Sequence, residues 1–249
     1  MPRGTVALIP VRSSGPIIPG WYGKMPSLGD FSQRGLSPAF VSRWDHWLAQ
    51  CLLASREALG DAWLDLYLTS PIWRFLLLSG VAGESLWAGV LMPSVERVGR
   101  YFPLTLAAEI PADGPAPDPA RAAPWFSELE AIAIATLEEG LTAEAIADRL
   151  AEHPFPMPAD TLATQAEDLA ATLRAARPGR PARFNLPNLD AIPDLMTAAA
   201  ARMLLAQGAG MSLWWSQPGQ EASSLLLCHR GLPDATDYVE MINPEVQAA

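Results

Sequence analysis

Residues 37–60 read SPAFVSRWDHWLAQCLLASREALG and predict a long amphipathic helix. Ser37 is a typical N-cap, Pro38 suits the first helical position, and Gly60 stands where helices commonly end. The apolar residues that recur at helical spacing predict the buried face, namely Phe40, Trp44, Trp47, Leu48, Cys51 and Leu52. His46 lies on the opposite face, where we expect a solvated side chain. Such a helix needs an apolar surface to cover.

Three apolar segments downstream predict that surface. Residues 72–78, 86–92 and 102–107 are rich in aromatic and branched side chains, which is typical of buried strands. The first connection is too short for a parallel crossover, so we predict an antiparallel meander. Before it, Asp61 is expected to cap a short helical turn that Pro71 ends, because proline has no N–H to donate.

The second half of the chain predicts more helices and two last strands. We expect helices at 125–139, after Thr142, after Asp160 and at 193–207, and strands at 211–215 and 224–228. The fold class is therefore α+β, an α/β sandwich in which helices flank a central, mostly antiparallel sheet. The predicted organisation is an N-terminal extension (1–16), a first lobe with the meander (17–110), a Pro-rich linker or loop (111–124) and a mostly helical second lobe (125–249) packed on the first as one unit.

Composition excludes several classes of protein. The chain has 17 Lys+Arg against 27 Asp+Glu, a net charge of −10 and no basic run, so nucleic acid is not an expected partner. Half of the residues are hydrophobic, enough to bury a core. No segment approaches the about 18 apolar residues of a membrane span, and the apolar residues 6–11 are too short for a secretory signal. We expect a cytoplasmic protein.

The sequence contains no recognisable catalytic or cofactor-binding motif. The phosphate-binding, dinucleotide, nucleophile-elbow and zinc-protease spacings do not occur, and Cys51 and Cys228 lack metal-ligand spacing. Cys228 and His229 are neighbours in a predicted strand, so their side chains point to opposite faces. The pairs Asp61/Asp65 and Asp190/Asp194 are better explained as helix caps. We expect that the protein is not an enzyme and that it has no catalytic residue, no cofactor and no metal.

The first candidate binding segment is GWYGKMPSLGDF, residues 20–31. It appears as a non-periodic loop that combines glycines with the candidate partner-binding residues Trp21, Tyr22, Lys24, Asp30 and Phe31. Tryptophan and tyrosine are strong anchors at interfaces. A structural loop pinned by its own aromatic residues is an equally good interpretation.

Two further segments supply the other candidates. In residues 92–107 a turn carries Arg97 and Arg100, whose planar forks suit a carboxylate or a phosphate, although a salt bridge between Arg100 and Asp30 is the alternative. In residues 212–219 the adjacent Trp214 and Trp215 must face opposite sides if extended. One of them would then be exposed, and Trp214 is taken as the candidate.

These segments resemble the TagF family, also called ImpM, accessory proteins of bacterial type VI secretion systems. The resemblance is dense from residue 17 to 108 and continues later mainly at the tryptophan pair. It is carried by GWYGK at 20–24, GDF at 29–31, WL at 63–64, PIWRF at 71–75, WAGV at 87–90, GRYFPL at 99–104 and SLWW at 212–215.

The resemblance implies an α/β sandwich and a cytoplasmic, non-enzymatic regulator that represses secretion after translation. Its implied partner is the forkhead-associated scaffold protein Fha, alongside a threonine-phosphorylation pathway. Two alternatives stay open: a structural subunit of the secretion baseplate, and a hydrolase that uses Asp30, Arg97, Arg100 or His46. The oligomeric state is not predicted.

Overall fold

The computed structural model describes residues 15–26, 31–95, 99–112, 114, 116–117, 119–138, 140–158, 160–175, 183–216 and 224–243. The strands in this part of the chain are β1 (Gly20–Lys24), β2 (Phe31–Arg34), β3 (Trp73–Leu77), β4 (Leu86–Met92), β5 (Leu104–Ile110), β6 (Met211–Ser216) and β7 (Leu225–Arg230). The helices are α1 (Pro38–Leu59), α2 (Trp63–Thr69), α3 (Pro119–Ala135), α4 (Ala143–Glu152), α5 (Asp160–Ala175), α6 (Ala191–Gln207) and α7 (Ala235–Ile242).

The strands form one sheet in the order β2-β1-β5-β4-β3-β6-β7, and each neighbouring pair is antiparallel. The predicted α+β class and the β3–β4–β5 meander are confirmed. Strand β4 lies at the centre of the sheet with all seven residues buried, because helices cover both of its faces. Strand β5 begins two residues later than predicted and continues to Ile110.

Helices cover the two faces with separate hydrophobic cores. On one face α1, α2 and α7 pack over the strands, and on the other face α3 and α4 do so. A smaller cluster lies between α5 and α6. Among the described residues, no helix is both long and apolar enough to cross a membrane.

Helix α1 follows its sequence prediction closely. The backbone N–H of Phe40 donates to Ser37 Oγ at 3.4 Å, and Gly60 ends the helix with φ of +53°. All six residues of the predicted face are buried, and His46 is exposed as predicted. The prediction that Asp61 caps the next helical turn is wrong. Asp61 lies in a 3₁₀ turn, and Ala62 precedes α2 without a side-chain cap.

The segment from Gly20 to Phe31 is not the predicted loop. It contains β1 and the start of β2, which pair with each other, and β1 also pairs with β5. Glycine is required at two positions, because a Cβ at Gly20 would collide with the carbonyl of Arg34 and one at Gly23 with that of Pro103. The backbones approach too closely there for any side chain.

Three helices also differ from the prediction. Helix α3 begins at Pro119, within the segment predicted as linker or loop, and contains Pro124. Helix α6 begins two residues early, and Asn188 rather than Asp190 supplies its capping oxygen, accepting from Ala191 N at 3.1 Å. Helix α7 was not predicted. Thr142 does cap α4, as predicted.

We predict that Trp47→Ala lowers the free energy of unfolding by about 3–5 kcal/mol, because a buried indole leaves a large cavity. Its Nε1 also donates to Pro233 O at 2.7 Å, so a buried carbonyl loses its partner. Urea unfolding measures the effect. Leu53→Ala is the control on the same helix; its side chain is 61% exposed, and we expect a change below about 0.5 kcal/mol. Equal stabilities of the two variants would contradict the assigned helix face.

Candidate functional site

One end of the sheet brings together several residues that the sequence singles out. Strand β1 ends there, β2 begins there, and the connection from β4 to β5 crosses it. The C-terminal turn of α1 and the start of α2 line the same region. We call this surface the basic-aromatic end and define it by Tyr22, Lys24, Phe31, Arg56, Trp63, Arg100, Tyr101 and Phe102.

Three aromatic rings form the first part of the basic-aromatic end. Phe31 meets Phe102 edge to face with centroids 4.8 Å apart, and Tyr22 lies 5.9 Å from Phe31 and 5.8 Å from Phe102. Phe31 is 47% exposed, whereas the other two rings are buried. Lys24, only 4% exposed, places Nζ 5.0 Å from the Phe31 centroid. An exposed ring is therefore held in a fixed orientation by buried neighbours.

Hydrogen bonds attach this cluster to the helices. The Tyr22 hydroxyl donates to Asp45 on α1, and burial, followed by that bond, raises the pKa of Tyr22. The Tyr67 hydroxyl on α2 donates to Ser94 O at 2.9 Å and accepts from Ser94 N at 3.0 Å. Ser94 Oγ donates to Lys24 O at 2.7 Å. The β4–β5 connection is thus bound to both α2 and β1.

The second part of the basic-aromatic end is an open groove of about 460 Å³. We call it the guanidinium groove; its lining residues are Arg56, Trp63, Leu64, Gly99, Arg100 and Tyr101. The Arg56 guanidinium lies over the Trp63 ring, 4.3 Å from its centroid. Trp63 is fixed in turn, since Nε1 donates to Ser55 Oγ at 2.8 Å and Tyr67 stacks on its ring at 4.9 Å. Two cationic side chains from distant parts of the sequence therefore line one rigid aromatic wall.

The structure separates the sequence-predicted site residues into two sets. Tyr22, Lys24, Phe31 and Arg100 lie at the basic-aromatic end, although Tyr22 and Lys24 are buried beneath it. Trp21 and Trp214 are both fully interior, so the expected exposure of Trp214 is wrong. The Trp21 indole donates to Ser32 Oγ, and that of Trp214 donates to Ser212 Oγ. Asp30 and Arg97 lie outside the described residues.

Sequence reasoning missed Arg56, Trp63 and Tyr101 as members of the site. Arg56 reads as an ordinary solvated residue in the last turn of α1, and Trp63 reads as core. Their association depends on the 3₁₀ turn at Gly60–Ala62, which brings α2 back beside the end of α1. No local spacing pattern in the sequence predicts that α2 lies back beside the end of α1.

A histidine and two aspartates near α7 resemble a metal site but are explained by helix capping. Ligand atoms of His229, Asp234 and Asp237 lie within 4.8 Å of one another. Asp234 Oδ1 accepts from Thr236 N and Asp237 N, while Asp237 Oδ2 accepts from Asp234 N and pairs with His229 Nε2 at 2.7 Å. The backbone N–H of Asp237 also lowers the pKa of Asp234. These contacts form a capping box that accounts for both carboxylates.

A separate apolar cavity of about 200 Å³ lies between the sheet, α3 and α6. Phe126, Leu204, Leu205 and Trp215 contribute to its lining. Arg74 at its mouth forms a bidentate pair with Glu130, with both nitrogen–oxygen distances at 2.7 Å. The positive charge of Arg74 is therefore matched by the Glu130 carboxylate.

Comparisons with known proteins agree with the resemblance seen in the sequence. Residues 20–153 match a family model described as the TagF N-terminal domain, type VI secretion system-associated. The chain is also similar to PA0076 from Pseudomonas aeruginosa PAO1, whose crystal structure was determined at 2.05 Å resolution. The two share 35% sequence identity with a TM-score of 0.66, over 91% of this chain and 94% of that chain. No curated protein sequence in the comparison matches the chain significantly. The matched range 20–153 contains the whole basic-aromatic end.

We predict that the protein loses stability at alkaline pH. Burial raises the pKa of Tyr22, Tyr67 and Tyr238, and it raises that of Cys51 to about 12. A group whose pKa is higher in the folded state stabilises that state below its unfolded pKa, and this contribution disappears as the pH rises through the folded value. The free energy of unfolding should therefore fall above the ordinary thiol and phenol pKa values, about 8.5 and 10.

Tyr67→Phe isolates one contributor to this pH dependence. At pH 7 it should cost about 1–3 kcal/mol, because the buried N–H of Ser94 loses its partner, whereas its carbonyl keeps the bond from Phe102 N. Above pH 10 its stability should fall less steeply than that of the parent, by up to about 1.4 kcal/mol per pH unit. Urea unfolding from pH 7 to 11 measures both effects. Parallel pH profiles would show that Tyr67 does not titrate with unfolding.

Proposed function

Because the chain belongs to the TagF family of type VI secretion system-associated proteins, we propose that it represses secretion after translation by binding the forkhead-associated scaffold protein Fha. In this proposal it is a cytoplasmic, non-enzymatic regulator. It acts by holding the scaffold away from the rest of the secretion system. The basic-aromatic end is the surface that makes the contact.

The observation that carries this proposal is the exposed ring of Phe31. Anchors at protein interfaces are typically aromatic or arginine side chains that fill a pocket on the partner. Phe31 has the required area, and its packing on Phe102 and Tyr22 fixes its orientation before binding. A side chain whose orientation is already fixed loses little conformational entropy on association. More of the free energy gained by burying it is therefore available as binding affinity.

The guanidinium groove supports the same surface. Arginine and aromatic residues are enriched at interfaces, and this groove presents Arg56 and Arg100 beside Trp63 and Tyr101. The connection that carries Arg100 is bound to α2 through Ser94, so the groove and Phe31 share one rigid support. Phe31 and the groove therefore keep a fixed position relative to each other, which favours binding of one specific partner.

Calorimetric titration of the full chain with the cognate Fha scaffold tests the proposal. The scaffold is used both phosphorylated and unphosphorylated. Saturable binding with a defined stoichiometry is the expected result, and a difference between the two forms would connect the interaction to the kinase pathway. Failure of both forms to bind would reject the proposed mechanism, and baseplate subunits would then be the partners to test.

We predict that Phe31→Ala weakens scaffold binding by at least about 30-fold, equivalent to about 2 kcal/mol for a central anchor. Phe31→Leu should weaken it less, since it keeps most of the apolar area while removing the ring. Circular dichroism and melting temperature verify that each variant is folded.

Leu173→Ala is the matched control for this measurement. Leu173 is a 56% exposed apolar side chain on α5, a helix whose main packing contact is α6. Its removal should leave the affinity unchanged. If folded Phe31→Ala binds the scaffold as tightly as the parent does, the basic-aromatic end is not the contact surface.

A further inference from the structure

Strand β7 forms one edge of the sheet and pairs on one side only, with β6. Met211 O accepts from Leu78 N at 2.9 Å, so the backbone groups of Met211 point toward β3 and away from Arg230, the residue opposite it on β7. Opposite residues of an antiparallel pair exchange both hydrogen bonds or neither. The N–H and C=O of Arg230 therefore point to the outer edge, and by alternation so do those of Cys228 and Leu226.

The outer edge of β7 is open within the part of the chain that the structure describes. No described residue hydrogen-bonds to the outward backbone groups of Leu226, Cys228 and Arg230. All three side chains are exposed, and Leu226 is 61% exposed. A row of unpaired backbone groups beside an exposed leucine is a template for a further strand.

The two edges of the sheet differ in how they are protected. Strand β2, at the opposite edge, has only four residues, and its sequence FSQR is mostly polar. Strand β7 has six residues, LLLCHR, without proline or lysine, and its register with β6 runs without a bulge. Shortness, lysine, proline and bulges are devices that keep sheet edges from pairing with other chains. The edge at β7 lacks them, which favours a strand as its partner.

The outward positions of β7 are symmetric about Cys228. Leu226 lies two residues before Cys228 and Arg230 lies two residues after it, and these are the outward positions within the strand. A two-fold axis at Cys228, perpendicular to the sheet, places Cys228 opposite Cys228 of a second copy and Leu226 opposite Arg230 of that copy. Each outward N–H then meets an outward C=O, so the edge is complementary to itself.

The side chains agree with this register. Opposite residues of an antiparallel pair lie on the same face of the sheet, so the aliphatic stem of Arg230 covers the exposed Leu226 of the other copy. The guanidinium group stays in water. Its positive charge also offsets part of the repulsion between two chains that each carry a net charge of −10.

We propose that β7 pairs with β7 of a second copy of this chain, antiparallel and centred on Cys228, so that two sheets join across a two-fold axis. A contact made mainly by one pair of strands is small, so the dimer is reversible. The inference goes beyond the proposed function. Phe31 lies on β2, at the opposite edge of the sheet, so the pairing leaves the proposed scaffold contact accessible.

Sedimentation velocity of the full chain under reducing conditions, over a wide range of concentrations, tests the pairing. We expect a monomer–dimer equilibrium. Cys228→Pro should weaken it by about tenfold or more, because proline removes an outward N–H from each copy and leaves the bonds to β6 intact. Cys228→Ser is the matched control, since it keeps the N–H, and it should dimerise like the parent. Circular dichroism and melting temperature verify folding.

Charge substitutions at Leu226 test the register without changing the backbone. Leu226→Arg places a like charge opposite Arg230 of the other copy and should weaken the dimer severalfold. Leu226→Glu places an opposite charge there and should leave the dimer at least as tight as that of Leu226→Arg is weak, so the two variants move in opposite directions. Both substitutions are at an exposed position, so both variants should fold.

Mild oxidation with diamide, followed by non-reducing electrophoresis, tests the centre of the pairing. The Cα atoms of a hydrogen-bonded antiparallel pair are about 5.5 Å apart, which a disulfide can span. Cys228 should therefore link two copies, whereas Cys51 is buried. Leu226→Cys combined with Cys228→Ser moves the exposed thiol. Its two copies would lie about 14 Å apart along the strands, so no link should form.

Three outcomes would overturn the inference. The first is a chain that stays monomeric at every concentration. The second is a dimer that is unchanged by Cys228→Pro and by both charges at Leu226, because the contact would then lie on another surface. The third is a monomer whose β7 edge pairs with an extended segment of another protein. A dimer with the expected properties that fails to bind the scaffold would reject the proposed function alone.

Discussion

The packing of Trp44 is the constraint on which the rest of the structure depends. Its indole N–H donates to Thr105 Oγ1 at 2.7 Å, and both residues are buried. A buried indole needs such a partner, so the bond fixes both the rotation and the axial position of α1 on the sheet. The same ring lies against rings from α1, β3 and β6, namely Phe40, Trp47, Phe75 and Trp214. One side chain on α1 thus joins three strands.

The position of the basic-aromatic end follows from that bond. Asp45, the next residue on α1, faces Tyr22 and holds β1 in place beneath Phe31. About three turns further along the same helix, Arg56 reaches the face of Trp63. A rotation of α1 on the sheet would break both contacts together. The aromatic core and the basic-aromatic end are therefore parts of one packing arrangement.

Local signals in the sequence identified α1 and the meander. The features that the sequence analysis missed depend on contacts between residues that are distant in the chain. The caps and periodicity of α1 lie within the helix itself, and the strands β3 to β5 are continuously apolar. Strand β1 reads as a loop, because its glycines matter only where Arg34 and Pro103 approach them. Alternation correctly placed Trp214 and Trp215 on opposite faces, but it does not tell which face the helices cover more completely. The same limit applies to Arg56, which becomes a site residue only through its contact with Trp63.

The guanidinium groove places two arginines on a chain whose net charge is −10. An excess of acidic residues repels small anions at long range, and the attraction of two arginines is screened beyond a Debye length of about 8 Å at physiological salt. In the proposed function, a partner segment that already contacts Phe31 reaches the groove at a high effective concentration, because the second contact has become intramolecular. In that proposal the exposed ring and the groove are two parts of one contact surface, in which the apolar contact at Phe31 brings the partner close to the arginines.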